Sequence, residues 1–581
     1  MENRFRPGGG AFLVEEIAPQ DVFIPEEFSA EDQLVARTAS DFLRKEALPQ
    51  VERIESGDHD LMAALMRKAG ELGLLAADVP EVFGGLGYKH TTSALIAEKL
   101  NWQQSFALTH EAHTVIATLP LLYFGNNDQK RRYLPKLASG EWIGSFALSE
   151  ANSGSDALAM QTKGVLSPDG RHYLLNGVKM WITNTAFAQL FTVFGKVDGK
   201  VTAFLVERDF PGVSFGKEEH KLGMHGTSTR RLILENVPVP VENVLEVGKG
   251  HYAAFCALNM GRFKLEAGAV GGLKETLAVC ARYAQQRKAF GRPIAEFGLI
   301  QHKLAEMAAR TFALESMVYR LAGYLDRAFE GIDPEAEDAA THYHRASEEY
   351  AIECNIVKVI GSETYSAMTD EAIQIHGGYG YTEEFPVARA WRDQRLLRIG
   401  EGANEIVRLA IVNTLLRRAK QSRLPLVENG RRLLETSPRT EKTSDPLTIL
   451  GETAQDARRL ALTLLLHGYE RFGENLAEEE EIAAAIADTI DSAYAIESVW
   501  LRCEKLRRTP RFQSALLSAQ VAARDHTDEA LAAARYLLAS LPDAHTAMPG
   551  IAGLIARQER SPVSPMQLRR ELAAEKLREL Q

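Results

Sequence analysis

Cysteine is scarce in this sequence, because the 581-residue chain has only Cys256, Cys280, Cys354 and Cys503. None of them belongs to a CxxC pair, which excludes the usual zinc and redox motifs. A disulfide framework would be unusual in so long a chain, since such frameworks are typical of small secreted domains. We therefore predict that the four thiols are unpaired and buried as small apolar side chains.

Excess basic charge and long apolar runs are also lacking. Lys and Arg total 67 against 78 Asp and Glu, a net charge of −11, which argues against a nucleic acid partner. No apolar run approaches the roughly 18 residues that a membrane-spanning helix needs. The first 21 residues carry acidic groups around a very short apolar patch, so they match neither a signal peptide nor a transit peptide. We expect a cytoplasmic protein.

Motifs of several nucleotide-binding and hydrolytic folds are absent. The sequence contains no GxGxxG, P-loop, HExxH or GxSxG segment. Its histidines do not pair with Cys or carboxylates at metal-ligand spacing, so we predict no metal site. An alternating βαβ pattern is missing as well, which disfavours a doubly wound nucleotide-binding fold.

Hydrophobic periodicity divides the chain into helical and β-type parts. Apolar residues recur at helical spacing over 29–137 and again over 251–420, whereas 142–245 shows short alternating runs. The polar segment 436–446 contains two prolines and is the best linker candidate. In the second helical part the pattern predicts individual helices over 252–286, 299–330, 335–370 and 403–418. After the linker candidate it predicts helices over 447–468, 481–507, 512–540 and 565–580.

The β-type part contains three turn signals, namely Pro168-Asp169-Gly170, Asn176-Gly177 and Asp198-Gly199. They predict a small antiparallel β domain. We therefore predict an α+β fold with an N-terminal α-helical domain (1–141), a middle antiparallel β domain (142–250), a C-terminal four-helix bundle (251–435) and an α-helical extension (436–581).

Five segments together resemble one family. They are FALSEANSGSD at 146–156, GVKMWITN at 177–184, QQRKAFGRPI at 285–294, QIHGGYGYTEEFP at 374–386 and RIGEGANEIVR at 398–408. In this order, and over roughly 30–420, they resemble the acyl-CoA dehydrogenases. The appendix after Pro446 is similar to what the very-long-chain branch carries, and the resemblance implies the same helical, β and helical domain order.

The resemblance implies an FAD site. A Gly/Ser loop after a strand offers N–H groups and hydroxyls to a flavin or pyrophosphate, and the guanidinium of Arg287 suits a phosphate of a neighbouring subunit's FAD. Each feature taken singly also has an ordinary structural explanation. The Gly/Ser loop fits a plain turn, Trp181 a core residue, Arg287 a charge partner of a helix end and His376 a structural residue. The implied cofactor-binding residues are Phe146, Leu148, Ser149, Gly154, Ser155, Trp181, Ile182, Thr183, Arg287, Phe290, Gln374, Ile375, His376, Gly377, Gly378, Ala403 and Glu405.

The resemblance also implies that Glu401 is the catalytic base. A thioester α-proton is weakly acidic, so a desolvated carboxylate must lie beside it. A lone Glu before a helix is otherwise a charge partner of the helix N-terminus. Some branches place the base one residue before the Arg of ALNMGRFKL, and that position is Gly261 here. The implied substrate-side residues are Leu108, Ala112, Ser155, Asn259, Arg262 and Gly402, with Arg262 available to the CoA moiety.

Two positions depart from the family's usual pattern. Ala403 replaces the usual Thr, and Ala151-Asn152-Ser153 replaces a run that opens with Pro. Leu108 and Ala112 favour a deep apolar channel and long acyl chains, although both also fit an ordinary core.

The expected activity is α,β-dehydrogenation of fatty acyl-CoA in β-oxidation. The resemblance implies electron transfer to electron-transferring flavoprotein, a homodimer or homotetramer, and weak contact with a membrane surface. Two alternatives stay open: a scaffold or assembly protein of the same fold with weak activity, and an acyl-CoA oxidase that uses oxygen.

Overall fold

The N-terminal part is helical. The computed structural model describes residues 7–435, 444–541, 551–555 and 564–580, so residues 436–443 of the linker candidate lie outside the described residues. The first helix begins with a capping box, in which Ser29 Oγ accepts from the Asp32 N–H at 3.1 Å. The helices are α1 (Ala30–Phe42), α2 (Val51–Glu55), α3 (His59–Glu71), α4 (His90–Leu100), α5 (Gln104–Glu111), α6 (Leu119–Phe124) and α7 (Asn127–Ala138).

The middle part is one eight-stranded sheet. Its order is β6-β7-β3-β2-β4-β5-β8, with β1 paired to β4 in parallel and most other pairs antiparallel. The parallel β1–β4 pair is not evident from the sequence pattern. The strands are β1 (Gly144–Ala147), β2 (Lys163–Leu166), β3 (His172–Thr183), β4 (Leu190–Val197), β5 (Lys200–Glu207), β6 (Val213–Phe215), β7 (Thr229–Pro240) and β8 (Val244–Leu245).

Two of the three predicted turns join strands. Asp198 and Gly199 connect β4 to β5 with φ angles of 47° and 77°, as a tight hairpin requires. Pro168-Asp169-Gly170 lies between β2 and β3. The prediction of a turn at Asn176-Gly177 is wrong, because both residues lie inside β3 at an irregularity of the β3–β7 pairing. There the Asn176 amide donates to Asn236 Oδ1 at 3.1 Å, so its polar side chain pairs across the sheet.

The second helical part is a bundle built around the 37-residue helix α8. The predicted single helix over 335–370 is two helices, since the chain breaks at Tyr350 and the second helix continues to His376. A two-stranded ribbon, β9 (Lys288–Ala289) and β10 (Arg292–Pro293), follows α8. The helices are α8 (Gly250–Gln286), α9 (Gly298–Phe329), α10 (Ala339–Glu349), α11 (Ala351–His376), α12 (Pro386–Gln394), α13 (Asn404–Lys420) and α14 (Leu426–Glu435).

The extension packs against this bundle as part of one hydrophobic core. Buried ion pairs cross the interface: Arg320 of α9 bonds Glu497 at 2.7 Å, and Arg502 bonds Glu315 at 2.7 Å. Among the described residues, no helix is both long and apolar enough to span a membrane. The extension contributes α15 (Pro446–Phe472), α16 (Glu480–Leu506), α17 (Phe512–Ser540) and α18 (Pro565–Glu579).

The segment before α1 is buried between the bundle and the extension. Gly10 N–H donates to the Glu353 carboxylate at 2.7 Å, and Phe12 lies edge-on to Tyr494 of α16 with centroids 4.9 Å apart. A Cβ on Gly9 would lie 1.9 Å from the Glu349 carbonyl oxygen, so glycine is required for this close approach.

The four cysteines are unpaired and buried, as predicted. Burial raises the pKa of Cys256 and Cys503 to about 12, which keeps these thiols protonated and unreactive.

Candidate active site

Glu401 lies in a short loop between α12 and α13. Its φ is +57°, in the left-handed region that few residues other than glycine adopt, and that of Gly402 is +106°. Such a conformation costs on the order of 1 kcal/mol and persists only where neighbouring groups fix it. The catalytic loop, as we call residues 398–404, is therefore held by its surroundings.

Two cationic side chains fix the main chain of the catalytic loop. Arg262 Nε of α8 donates to the Glu401 carbonyl at 2.8 Å. Lys358 Nζ of α11 donates to the Gly402 carbonyl at 2.5 Å and to Asn404 Oδ1 at 2.6 Å. Two cations on two long helices thus bind consecutive carbonyls, and such charge-assisted bonds are stronger than neutral ones.

Gly261 leaves room for the Glu401 carboxylate. A Cβ at Gly261 would lie 2.9 Å from Glu401 Oε2 and 3.1 Å from Ile116 Cγ2. Glu401 Oε2 is buried and has no hydrogen-bond partner within the part of the chain that the structure describes. Burial raises the pKa of Glu401 to about 7, although Arg262 and Lys358 oppose the shift. The carboxyl is therefore suited to accept a proton near neutral pH.

A buried carboxyl, Glu111, interacts electrostatically with Glu401, and a second one, Glu266, interacts with Glu111. Burial raises the pKa of Glu111 to about 8, with a smaller contribution from the negative charge of Glu401, and raises that of Glu266 well above its ordinary value. A Cβ on Gly268, two turns along α8 from Gly261, would lie 2.9 Å from Glu111 Oε1. Sequence reasoning missed both residues, although an acidic residue in an apolar helical run was the available signal.

The predicted substrate-side residues occupy different environments. Asn259 is buried, and its amide donates to the Ser347 carbonyl at 3.4 Å. Ala112 is also buried, whereas Leu108 is half-buried. Arg262 has two acceptors, because its Nε bonds the Glu401 carbonyl and its Nη1 bonds Asn355 Oδ1 at 2.8 Å. The guanidinium of half-buried Arg262 is thus bonded to the loop and to α11, and its contact with a CoA moiety stays a prediction.

The first group of predicted flavin residues lies at the end of β1 and on β3. Met180 N–H donates to the Ser149 carbonyl at 2.9 Å, which brings the two segments together. Trp181 has φ +59° and its side chain is 56% exposed. The other residues of this group are half-buried Phe146, Ser149 and Thr183, buried Leu148 and Ile182, and exposed Gly154 and Ser155.

The second group lies where α8 and α11 end. The Arg287 guanidinium lies over the Tyr379 ring, 5.7 Å from its centroid, and Phe290 is 96% exposed. His376 is buried, and its ring stacks on that of Tyr283 with the ring centroids 4.1 Å apart. The remaining members of this group are exposed Gln374, Gly377 and Gly378 and buried Ile375.

The described residues show no hydrogen bond or ion pair between the second group and the catalytic loop. Ala403 precedes α13 without a side-chain cap, and Glu405 is exposed in its first turn.

Sequence reasoning also missed Lys358, whose signal was a single Lys in an apolar helical run, and Ile116, which lies in a π-helical turn over Ala112–Ala117. Such turns often mark functional sites, but no sequence pattern predicts them.

Models of one family match most of the chain. Three acyl-CoA dehydrogenase models match in order: the N-terminal domain over 29–141, the middle domain over 145–237 and the C-terminal domain over 248–416. A second model described as an acyl-CoA dehydrogenase C-terminal domain matches 456–550, within the extension.

Individual relatives agree with these matches. A probable acyl-CoA dehydrogenase of Bacillus subtilis is 41% identical over 97% of both chains. A human mitochondrial very long-chain specific acyl-CoA dehydrogenase is 40% identical over 353 residues, 59% of this chain and about half (51%) of that protein. The crystal structure of an acyl-CoA dehydrogenase complexed with FAD from Bacillus anthracis superposes with a TM-score of 0.95 at 42% identity, covering 99% of each chain. The chain belongs to the acyl-CoA dehydrogenase family, as the sequence motifs predicted.

Proposed function

We propose that this protein catalyses the FAD-dependent α,β-dehydrogenation of fatty acyl-CoA to trans-2-enoyl-CoA. The observation that carries the proposal is the Glu401 carboxylate, which is buried, unpartnered at Oε2 within the described chain and held on a strained loop by Arg262 and Lys358. A carboxyl with a pKa of about 7 is a suitable acceptor for a weakly acidic α-proton.

Glu401 would remove the α-proton of the thioester through Oε2. The Arg262 and Lys358 bonds keep the two carbonyls of the loop from turning, so the carboxylate keeps one orientation while the proton moves. The N–H of Glu401 would donate to the thioester carbonyl and stabilise the developing negative charge. The apolar side chain of Ile116 would help to exclude water from the same space.

The exposed residues of the two groups fit FAD. A Cβ added to Gly154, Gly377 or Gly378 would meet no atom of the described chain within 4 Å, so a ligand can approach the backbone there. Hydroxyls of Ser149, Ser155 and Thr183 would serve the flavin, and the Arg287 guanidinium a pyrophosphate, as donors of suitable chemistry. Bound FAD would accept the β-hydrogen as hydride.

The finer assignments rest on the sequence. Half-buried Leu108 and buried Ala112 support long acyl chains, and the highly exposed Phe290 supports a homodimer or homotetramer in which the second group serves a neighbouring subunit. Electron-transferring flavoprotein as acceptor, the domain limits 1–141, 142–250, 251–435 and 436–581, a cytoplasmic location and weak membrane-surface contact stay predictions.

The test is anaerobic reduction of the purified protein by butyryl-, octanoyl- and palmitoyl-CoA, followed as bleaching of the flavin absorbance. We expect the parent to be yellow and to bleach fastest with palmitoyl-CoA. Glu401→Gln should keep the flavin spectrum but not bleach, because an amide cannot accept the α-proton. Glu474→Gln, an exposed carboxylate of the extension, is the control and should bleach like the parent.

Other results would favour the alternatives. A colourless protein would favour the scaffold hypothesis. Hydrogen peroxide production in air at the rate of substrate turnover would favour the oxidase hypothesis. Bleaching of Glu401→Gln at the parent rate would contradict the assignment of the base.

A further inference from the structure

The catalytic loop is connected to the C-terminal extension by a continuous series of polar contacts. Glu363 of α11 contacts both ends of the loop, because its carboxylate pairs with Arg398 Nε at 2.9 Å and accepts from Asn404 Nδ2 at 2.9 Å. Asn404 in turn accepts from Lys358, which holds the Gly402 carbonyl. Glu363 therefore fixes the segment that carries the base without contacting the base itself.

Arg408 extends this series into the extension. It lies one helical turn into α13, and its Nη1 is 3.7 Å from Glu363 Oε1. Its Nε donates to Asp488 Oδ1 of α16 at 2.7 Å. Asp488 thus orients the guanidinium that faces Glu363. Four side chains, those of Arg408, Glu363, Asn404 and Lys358, connect this residue of the extension to the main chain at Gly402.

A buried carboxyl marks the same junction. Asp491 lies one turn after Asp488 on α16, and both of its carboxylate oxygens are buried without a hydrogen-bond partner within the described chain. Acidic groups around Arg408, namely Asp488 and Asp491 on α16 and Glu363 on α11, raise its pKa above the ordinary value, although burial opposes the shift. Arg408 is therefore a permanent cation among three acidic groups from two helices.

We propose that Asp488 is a positioning residue for the dehydrogenation, through which the extension sets the conformation of the catalytic loop by way of Arg408 and Glu363. The strained φ of Glu401 requires neighbours that over-determine the loop, and this series adds to the bundle's own residues one from the extension, Asp488. The catalytic part of the inference rests on the proposed function, whereas the conformational part does not.

Asp488→Asn tests the proposal because it removes the charge and keeps the shape. The matched control is Glu474→Gln, since Lys420–Glu474, at 2.7 Å, also joins α13 to the extension but at the far end of that helix. Hydrogen exchange of amides in residues 398–404, measured by mass spectrometry without substrate, reports on the loop directly. Asp488 is partly exposed, so we expect exchange about two- to fivefold faster in Asp488→Asn and unchanged in Glu474→Gln.

Flavin reduction at saturating palmitoyl-CoA is the second measurement. Asp488→Asn should lower the limiting rate by a similar factor and leave the half-saturating concentration unchanged, since the change affects the base and not binding. Glu363→Gln should change both exchange and rate more, because it contacts both ends of the loop. Equal loop exchange in Asp488→Asn and Glu474→Gln would overturn the inference. A parent protein that no acyl-CoA reduces would instead contradict the proposed function, and the exchange comparison would still decide the conformational part.

Discussion

Gly261 gives the sharpest test of the space around the base. Its substitution by alanine would place a Cβ 2.9 Å from Glu401 Oε2, where an unstrained contact needs roughly 3.4 Å, so the carboxylate must move by about 0.5 Å. Displacing a reacting group by about 1 Å costs roughly 100-fold in rate. We therefore expect Gly261→Ala to lower the limiting rate of flavin reduction by about tenfold.

The same substitution should not destabilise the fold. The atom that must move is the end of a flexible side chain, and alanine in a helix interior is favoured over glycine by about 0.5–1 kcal/mol. Gly268→Ala is the matched control, because it adds the same methyl group to the same helix and contacts Glu111 Oε1 at 2.9 Å and Asn101 Nδ2 at 2.7 Å. It should reduce flavin within about twofold of the parent.

The assay is stopped-flow flavin reduction under anaerobic conditions, with thermal unfolding as the check on folding. The reasoning fails if Gly261→Ala reduces its flavin at the parent rate. It also fails if Gly261→Ala and Gly268→Ala lose the same activity, because the effect would then be one of helix packing and not of the base.

Two further predictions concern charge. Because Glu401 must be ionised to accept a proton, kcat/KM should rise with pH to a plateau above the pKa of about 7. Glu111, with a pKa of about 8, should add a second inflection to this pH profile, and Glu111→Gln should remove it. A pH profile that Glu111→Gln leaves unchanged would contradict this coupling. Glu150 accepts from Lys179 Nζ at 2.7 Å and from the N–H groups of residues 161 and 162. Glu150→Ala leaves a buried cation and should therefore lower the free energy of unfolding, measured by urea titration, by about 3–5 kcal/mol. A loss below about 1 kcal/mol would refute the argument from burial.

The sequence predicted the large helices well because each has a long apolar period. The predicted 512–540 agrees with α17, and 252–286 agrees with α8 to within two residues. The turn prediction failed at Asn176-Gly177, because this turn signal lies within β3, a strand that the neighbouring strand β7 stabilises. The break at Tyr350 was also missed, since both sides of it are helical.

The sequence motifs pointed to Glu401 but not to the residues that hold its loop in place. Glu401 follows from the family motif, but Lys358 and Glu363 act from α11, and their role depends on how that helix packs beside the loop. The contact of Arg262 was not predictable for the same reason, because only the packing of α8 shows that its guanidinium bonds the Glu401 carbonyl. Contacts between distant segments are tertiary information, which a single sequence does not contain.

The buried segment around Phe12 has a consequence for biosynthesis. Its ring contacts Tyr494, so about 480 residues of chain must be made between the two partners before this contact can form. At 5–20 residues per second a ribosome needs about 25–100 s for that length. During this interval Phe12 is without its final neighbour, and a nascent chain held short of α16 should expose Phe12 to protease or to a chaperone.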